Sequence, residues 1–225
     1  LEEATMREAP TKLTYDEFID WLDEDTLAEW VDGAIVMTSP ASLRHQVIGA
    51  FLAETLGAYV RLRTLGRVVS APFQMKVGQS GREPDVLFVA NEHLDRFQPT
   101  YLDGPADLVV EVVSPESAGR DRGDKFYEYE AAGIPEYWLI DPRTERAEFY
   151  QLNARSAYQL LTPDADGVYR SSAVPGFWLR EAWLWQDPAP AVEDALLDIA
   201  GDAYANQLID RLRRRGYLPP ETPTN

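Results

Sequence analysis

"PADLVVEVVSPES", residues 105–117, sets one glutamate, Glu111, among four valines and a leucine. A short run of mostly β-branched residues stopped by Ser114-Pro115 reads as a strand covered on both faces, because proline has no N–H for a further ladder bond. Side chains alternate along a strand. Asp107, Val109, Glu111 and Val113 therefore share one face, and Leu108, Val110 and Val112 share the other. Glu111 points into packed structure, where a carboxylate is costly unless it is paired, hydrogen-bonded or bound to a metal. The rest of the chain has to supply its partner.

A second carboxylate, Asp85 in Glu83-Pro84-Asp85, stands at the entry of the apolar stretch 86–90. Taken alone it reads as a turn residue that starts a strand. If that strand neighbours the one around Glu111, the two acids converge, and a hard divalent cation such as Mg²⁺ is the usual answer to their repulsion. A buried ion pair with a lysine or arginine is the competing answer for Glu111. The stretch "DRGDKFYEYEAAG", 121–133, places Asp121, Lys125 and Tyr129 on one helical stripe. That stripe is either a surface Asp121–Lys125 pair beside a half-buried tyrosine, or a lysine reaching over the strand ends towards Asp85 and Glu111.

Working outward, Thr14-Tyr15-Asp16-Glu17 is a capping-box pattern with Leu13 and Phe18 as its hydrophobic staple, opening a helix over about 14–24. Two strand-like pieces flank Asp32-Gly33. Pro40 and Ser42 open a long helix, 42–64, with Gly66 as its stop. Strands follow from Gly66 to Ala90, and a helix spans about 119–132 up to Gly133. "EYWLIDP", "RAEFYQL", "AYQLLTP" and "GVYRSSAVPGFWL" are further strands, and helix returns beyond Pro188-Ala189-Pro190. Arg211 to Arg215 lie in its last turn, and "PPETPTN" reads as a disordered end. This order predicts an α/β fold, a central mixed β-sheet flanked by helices, with extra N- and C-terminal helices. The expected divisions are a leader at 1–12, the main domain at 13–187 and a helical extension and tail at 188–225.

With 45% hydrophobic residues and no apolar run near the ~20 residues of a membrane span, the chain reads as an ordinary globular protein. It has no cysteine, which removes disulfides and thiolate metal sites and fits a reducing cytoplasm. Any metal must be held by oxygen or by one of two histidines. The formal net charge of −17 argues against tight, nonspecific nucleic-acid binding. Most of it lies in the flanks. Residues 1–32 carry eleven acids and two bases, and 186–225 seven acids and four bases, which leaves 33–185 with twenty acids and fifteen bases, net −5.

The set "EPDVLFV", "DLVVEVVSP", "DRGDKFYEYEAAG" and "EYWLIDP", preceded by "EWVDGAIVMTSPASLRHQ", resembles the Uma2 or DUF820 family over roughly residues 13–185. That family belongs to the PD-(D/E)XK nuclease superfamily. The resemblance implies a restriction-endonuclease-like core and Mg²⁺- or Mn²⁺-dependent hydrolysis of phosphodiester bonds in DNA, or alternatively RNA. By it Asp85 matches the PD aspartate and Glu111 the acid of (D/E)XK, with the backbone carbonyl of Val112 as a third metal ligand. Val113 stands where the superfamily pattern has lysine, and Lys125 is the matching position on the following helix. Tyr129 and Asp121 would hold the Lys125 side chain. Glu29 and His45 also match family positions, Glu29 beside the metal and His45 near phosphate or an ordered water; an ordinary exposed histidine is the alternative at 45. A homodimer follows by analogy, with the amphipathic tail helix around Val192, Leu196 and Ile199 as its element. A non-catalytic binding module that kept the fold is the rival reading. His93 reads as a solvated loop residue, Arg61, Arg63 and Arg67 as helix-end cations that could also track a backbone, and Trp178, Trp183 and Trp185 as core or interface.

Overall fold

The computed structural model describes residues 12–23, 26–37 and 41–219. Pro40, most of the predicted leader and the last six residues lie outside that set. The sheet that carries Glu111 has six strands: β3 (Gly66–Ser70), β6 (Val86–Ala90), β8 (Leu108–Val112), β9 (Glu136–Asp141), β10 (Arg146–Leu152) and β11 (Tyr158–Leu161). Its order is β11-β10-β9-β8-β6-β3. Only β8 and β9 are parallel. A parallel pair needs a crossover, and α3 (Ala118–Arg122) and α4 (Asp124–Ala131) supply it.

Both faces of this sheet are covered, as the valines and leucine on both faces of β8 require. Leu108, Val110 and Val112 pack with Trp138 and Ile140 against α2 (Leu43–Arg63), whose Phe51, Leu52, Leu56 and Tyr59 are buried. Val109 and Val113 face the other way, with Tyr137, Leu139 and Tyr129 of α4. Behind that face lies a second sheet of five strands, β2-β1-β5-β4-β7. Its members are β1 (Ala28–Val31), β2 (Ala34–Met37), β4 (Gln74–Val77), β5 (Ser80–Arg82) and β7 (Tyr101–Asp103). The short α1 (Tyr15–Trp21) closes it. Tyr15 lies against Gly81 so tightly that any Cβ at position 81 would collide with the ring.

Local signals explain the element ends. The Thr14 hydroxyl accepts from the Glu17 amide while the Glu17 carboxylate accepts from that of Thr14, so the predicted capping box forms. The Ser42 hydroxyl accepts from the His45 amide at 3.2 Å. Several predicted elements differ. The long helix ends at Thr64 in the left-handed region, and Gly66 already belongs to β3. The helix expected over 119–132 is two, broken at Gly123, where a Cβ would come within 2.8 Å of the Gly119 carbonyl. The tail helix is also two, α5 (Val192–Ala200) and α6 (Asp202–Arg214), separated at Gly201 with φ +50°.

The face offered for dimerisation is used within the chain. Ala195 and Leu196 of α5 are buried in the core shared with α2, and Val192 and Ile199 pack against it. The strands β12 (Val168–Arg170) and β13 (Trp178–Arg180) form a small hairpin whose tryptophan neighbours, Trp178 and Trp183, stack on each other within the same core. Among the described residues, no helix is long and apolar enough to cross a membrane.

Candidate active site

The β6–β8 ladder runs only as far as Val86 opposite Val110. Beyond it the backbone N–H of Val112 would lose its partner, and the Asp85 side chain takes that place: Asp85 Oδ2 accepts from Val112 N at 2.6 Å. Pro84 has no N–H and favours extended backbone in Glu83 before it, which suits this strand entry. Asp85 is thereby tied to the residue after Glu111. The two carboxylates line one pocket of about 170 Å³.

Glu111 is 4% exposed and has found a cation. Lys125 Nζ lies 3.1 Å from Glu111 Oε1, 3.0 Å from Glu29 Oε1 and 3.3 Å from Asp121 Oδ1. The break at Gly123 leaves the Asp121–Lys125–Tyr129 stripe intact, and the Tyr129 hydroxyl donates to Glu111 Oε1 at 2.7 Å. These groups are no surface pair, since Asp121 is 1% and Lys125 5% exposed. The reason is that α3 and α4 together pack this stripe against β8, and Glu29 arrives from the second sheet.

Burial pushes the Glu111 carboxyl well above the usual glutamate range, and although Lys125 opposes this, the charges of Asp121, Asp85 and Glu29 reinforce it. Burial works against the Lys125 ammonium, yet Glu111, Glu29 and Asp121 outweigh it and raise its pKa. Lys125 is therefore a permanent cation. Glu29 is also opposed by burial, and Lys125 and Arg82 hold it below its ordinary 4.5. Burial, then the charge of Glu29, pushes Glu83 up to about 7.

His45, in the first turn of α2, is not an exposed histidine. Its Nε2 lies 3.3 Å from Asp85 Oδ2. Burial lowers its pKa, but the Asp85 carboxylate and the Val112 carbonyl outweigh burial and raise it. Its Nδ1 is buried with no hydrogen-bond partner among the described residues. His93, by contrast, does not reach the site and is not fully solvated either: its Nδ1 lies 2.9 Å from Asp107 Oδ1.

Three further residues belong to this site and were not singled out from the sequence. Arg82 ties the five-stranded sheet to α4, with Nη1 3.1 Å from Glu29 Oε2 in its own sheet and a two-pronged pair of 2.7 Å bonds to Glu128. It directly precedes Glu83-Pro84-Asp85, which was the available signal. Glu83 is also in that motif, and its amide donates to Glu29 Oε1 at 3.3 Å. Arg120 lines the same pocket as Asp85 and Glu111.

Oxygen donors dominate the pocket, which suits a hard divalent cation. Asp85 and Glu111, each with one carboxylate oxygen that takes no hydrogen bond from the described residues, could hold it with the Val112 carbonyl. Among the described residues no three His, Asp or Glu side chains form a ready-made metal cluster. A cation here would need water or substrate oxygens to complete its shell, as Mg²⁺ commonly does.

The search of curated proteins finds no match. A solved structure, described as a "putative nuclease belonging to DUF820" from Anabaena variabilis ATCC 29413, is similar with a TM-score of 0.66 at 17% identity. The match covers 77% of this chain and 97% of that one, and at this identity it shows a common fold. The family model described as "Uma2: Putative restriction endonuclease" matches residues 15–182, which include every residue of the pocket, and the chain belongs to that family.

Proposed function

We propose that the protein is a divalent-metal-dependent endonuclease acting on DNA, with Asp85, Glu111 and Lys125 at its centre. The observation that carries this reading is the meeting of Lys125 and Glu111 at 3.1 Å in a pocket that Asp85 also lines. Mg²⁺ or Mn²⁺ held by Asp85, Glu111 and the Val112 carbonyl would supply Lewis-acid polarisation of a phosphoryl oxygen and a more acidic water.

Lys125 is buried and permanently charged, so it would face a non-bridging phosphate oxygen and offset the charge that grows there as the bond to phosphorus breaks. It needs no proton transfer for that role. Asp121 and Tyr129 position it, Asp121 through the 3.3 Å ion pair and Tyr129 by holding the Glu111 oxygen that Lys125 also touches. Glu29, braced by Arg82, fixes the ammonium from the other sheet. His45 holds Asp85 in place.

A non-catalytic module is the second reading, favoured by one observation: Lys125 already neutralises Glu111 within the chain. Cleavage of duplex DNA, single-stranded DNA and RNA, each with Mg²⁺, Mn²⁺ or chelator, separates the two. Wild type should cut DNA only with metal, and Asp85→Ala and Lys125→Ala should not cut. Cutting that survives both substitutions removes this assignment, and cutting of RNA alone changes the substrate.

A further inference from the structure

Beside the acids Glu29, Glu83, Asp85 and Glu111, the pocket is lined by Ser114, Glu116, Ser117 and Arg120. The two serines hold each other: Ser117 Oγ accepts from the Ser114 amide at 2.9 Å and Ser114 Oγ accepts from the Ser117 amide at 3.1 Å. Both hydroxyl oxygens are thereby fixed, and the Ser114 hydroxyl proton has no acceptor among the described residues.

Arg120 is the unusual member. Its Nε is buried with no hydrogen-bond partner among the described residues. Among the described residues no ion pair holds its guanidinium either, in a chain with 38 acids and 21 lysines and arginines. Arg122, two residues on, has both Asp141 and Glu148 within 3.6 Å. A buried donor without an acceptor costs about 1–3 kcal/mol, more when it is charged. Such a group calls for an acceptor from outside the chain.

We infer that Arg120 binds a phosphate of the substrate, its Nε–H and a terminal amino group taking phosphate oxygens in the pocket that Asp85 and Glu111 also line. The guanidinium presents donors in a rigid fork that matches phosphate, and the Ser114 hydroxyl can add one more. That the phosphate belongs to a nucleic acid rests on the endonuclease reading above. Arg120 completes that reading, because a pocket lined by five carboxylates repels a polyanion unless cations such as Lys125 and Arg120 offset them.

The test uses the full chain and three probes: a fluorescent duplex, the matching single strand, and inorganic phosphate. In chelator, Arg120→Gln should weaken oligonucleotide binding about ten- to hundredfold, the value of a charged hydrogen bond. The slope of log K against log salt should fall by about 0.9 for duplex or 0.7 for single strand. Arg120→Lys should keep the slope and lose part of the affinity, since it has the charge without the fork. Inorganic phosphate should shift the Arg120 Nε–H resonance, identified by its loss in Arg120→Lys. Equal binding by wild type and Arg120→Gln, or an Nε–H resonance that phosphate leaves unmoved, overturns the inference. If wild type cuts no nucleic acid, the endonuclease reading fails, and the phosphate titration still decides whether Arg120 is an anion site.

Discussion

The Lys125 ammonium lies 3.0 Å from Glu29 Oε1, so a residue of the β8–β9 crossover is bonded to a strand of the other sheet. One buried cation thus faces Glu29, Glu111 and Asp121 at once. The site and the joint between the sheets are the same piece of chemistry.

Lys125→Met tests that joint. Methionine keeps the length of the stem, so what is lost is the charge that compensates three buried carboxylates. Removing one member of a buried ion pair costs about 3–5 kcal/mol. Urea unfolding should show a loss of that size, and adding Glu29→Gln in the same chain should restore part of it, because one uncompensated charge is then gone. Strictly additive losses in the double-mutant cycle would show that Lys125 and Glu29 are not coupled.

Glu111 makes a prediction about pH. Its folded pKa is raised above the unfolded value near 4.5, so between the two values the folded state binds more protons. The stability this group contributes is complete below about pH 4.5 and is lost as pH rises through the folded value. Glu111→Gln cannot ionise and escapes that loss. In metal-free urea titrations the variant should gain on wild type from pH 5 to pH 8 while cutting nothing at either. A stability difference that is the same at both pH values would sink this account. Glu29 acts in the opposite direction: its lowered pKa adds stability that is present above about 4.5 and disappears as pH falls further.

Much of this was readable because it is local or periodic. Glu111 betrayed itself by breaking an apolar run, and the Asp121–Lys125–Tyr129 stripe needs only helical spacing, which survives the break at Gly123. What could not be read was pairing between distant segments. That β1 lies beside β5, with Trp30 opposite Gly81, is what brings Arg82 to Glu29. No spacing in the sequence announces it. The same holds for Arg120, whose interest lies in a partner it lacks, and for α5, whose apolar face looks free until α2 is found against it.

Asp85 has two duties, and one substitution separates them. Its carboxylate accepts the Val112 amide at 2.6 Å, which a side-chain amide can still do. Asp85→Asn should therefore fold with a stability near wild type, whereas Asp85→Ala leaves that N–H unpaired and costs about 1–3 kcal/mol. Cleavage should fall more than about 100-fold in both, beyond the 10–100-fold typical of losing a group one shell outside a metal. Mg²⁺ should raise the melting temperature of wild type over its value in chelator, because binding to the folded state alone stabilises it, and should leave that of Asp85→Ala unmoved. A wild-type protein that unfolds only slightly earlier in chelator folds without the metal, as Lys125 and His45 already counter the acids; equal shifts in wild type and Asp85→Ala would remove Asp85 as a ligand.

Glu136 offers the control. It is fully buried at the start of β9, and its two oxygens accept from Trp138 Nε1, the Tyr169 hydroxyl, the Ser171 and Ser172 hydroxyls and the Ser172 and Ala173 amides, all within 3.1 Å. No cation is bonded to it among the described residues. Six donors take the place of water around the carboxylate and pin the 171–173 loop to the sheet. In the β8–β9 register Glu136 pairs with Leu108, whereas Glu111 pairs with Leu139, three residues further along and so about 10 Å away at ~3.3 Å per residue. Glu136→Gln turns one oxygen into an amide nitrogen facing donors, and should cost at least the ~1.5–3 kcal/mol of one hydrogen bond to a charged group. Cleavage per folded molecule, measured well below the melting temperature, should equal wild type. If it fell as far as in Lys125→Met, the two ends of the sheet would be coupled and the losses at Lys125 could no longer be assigned to the pocket.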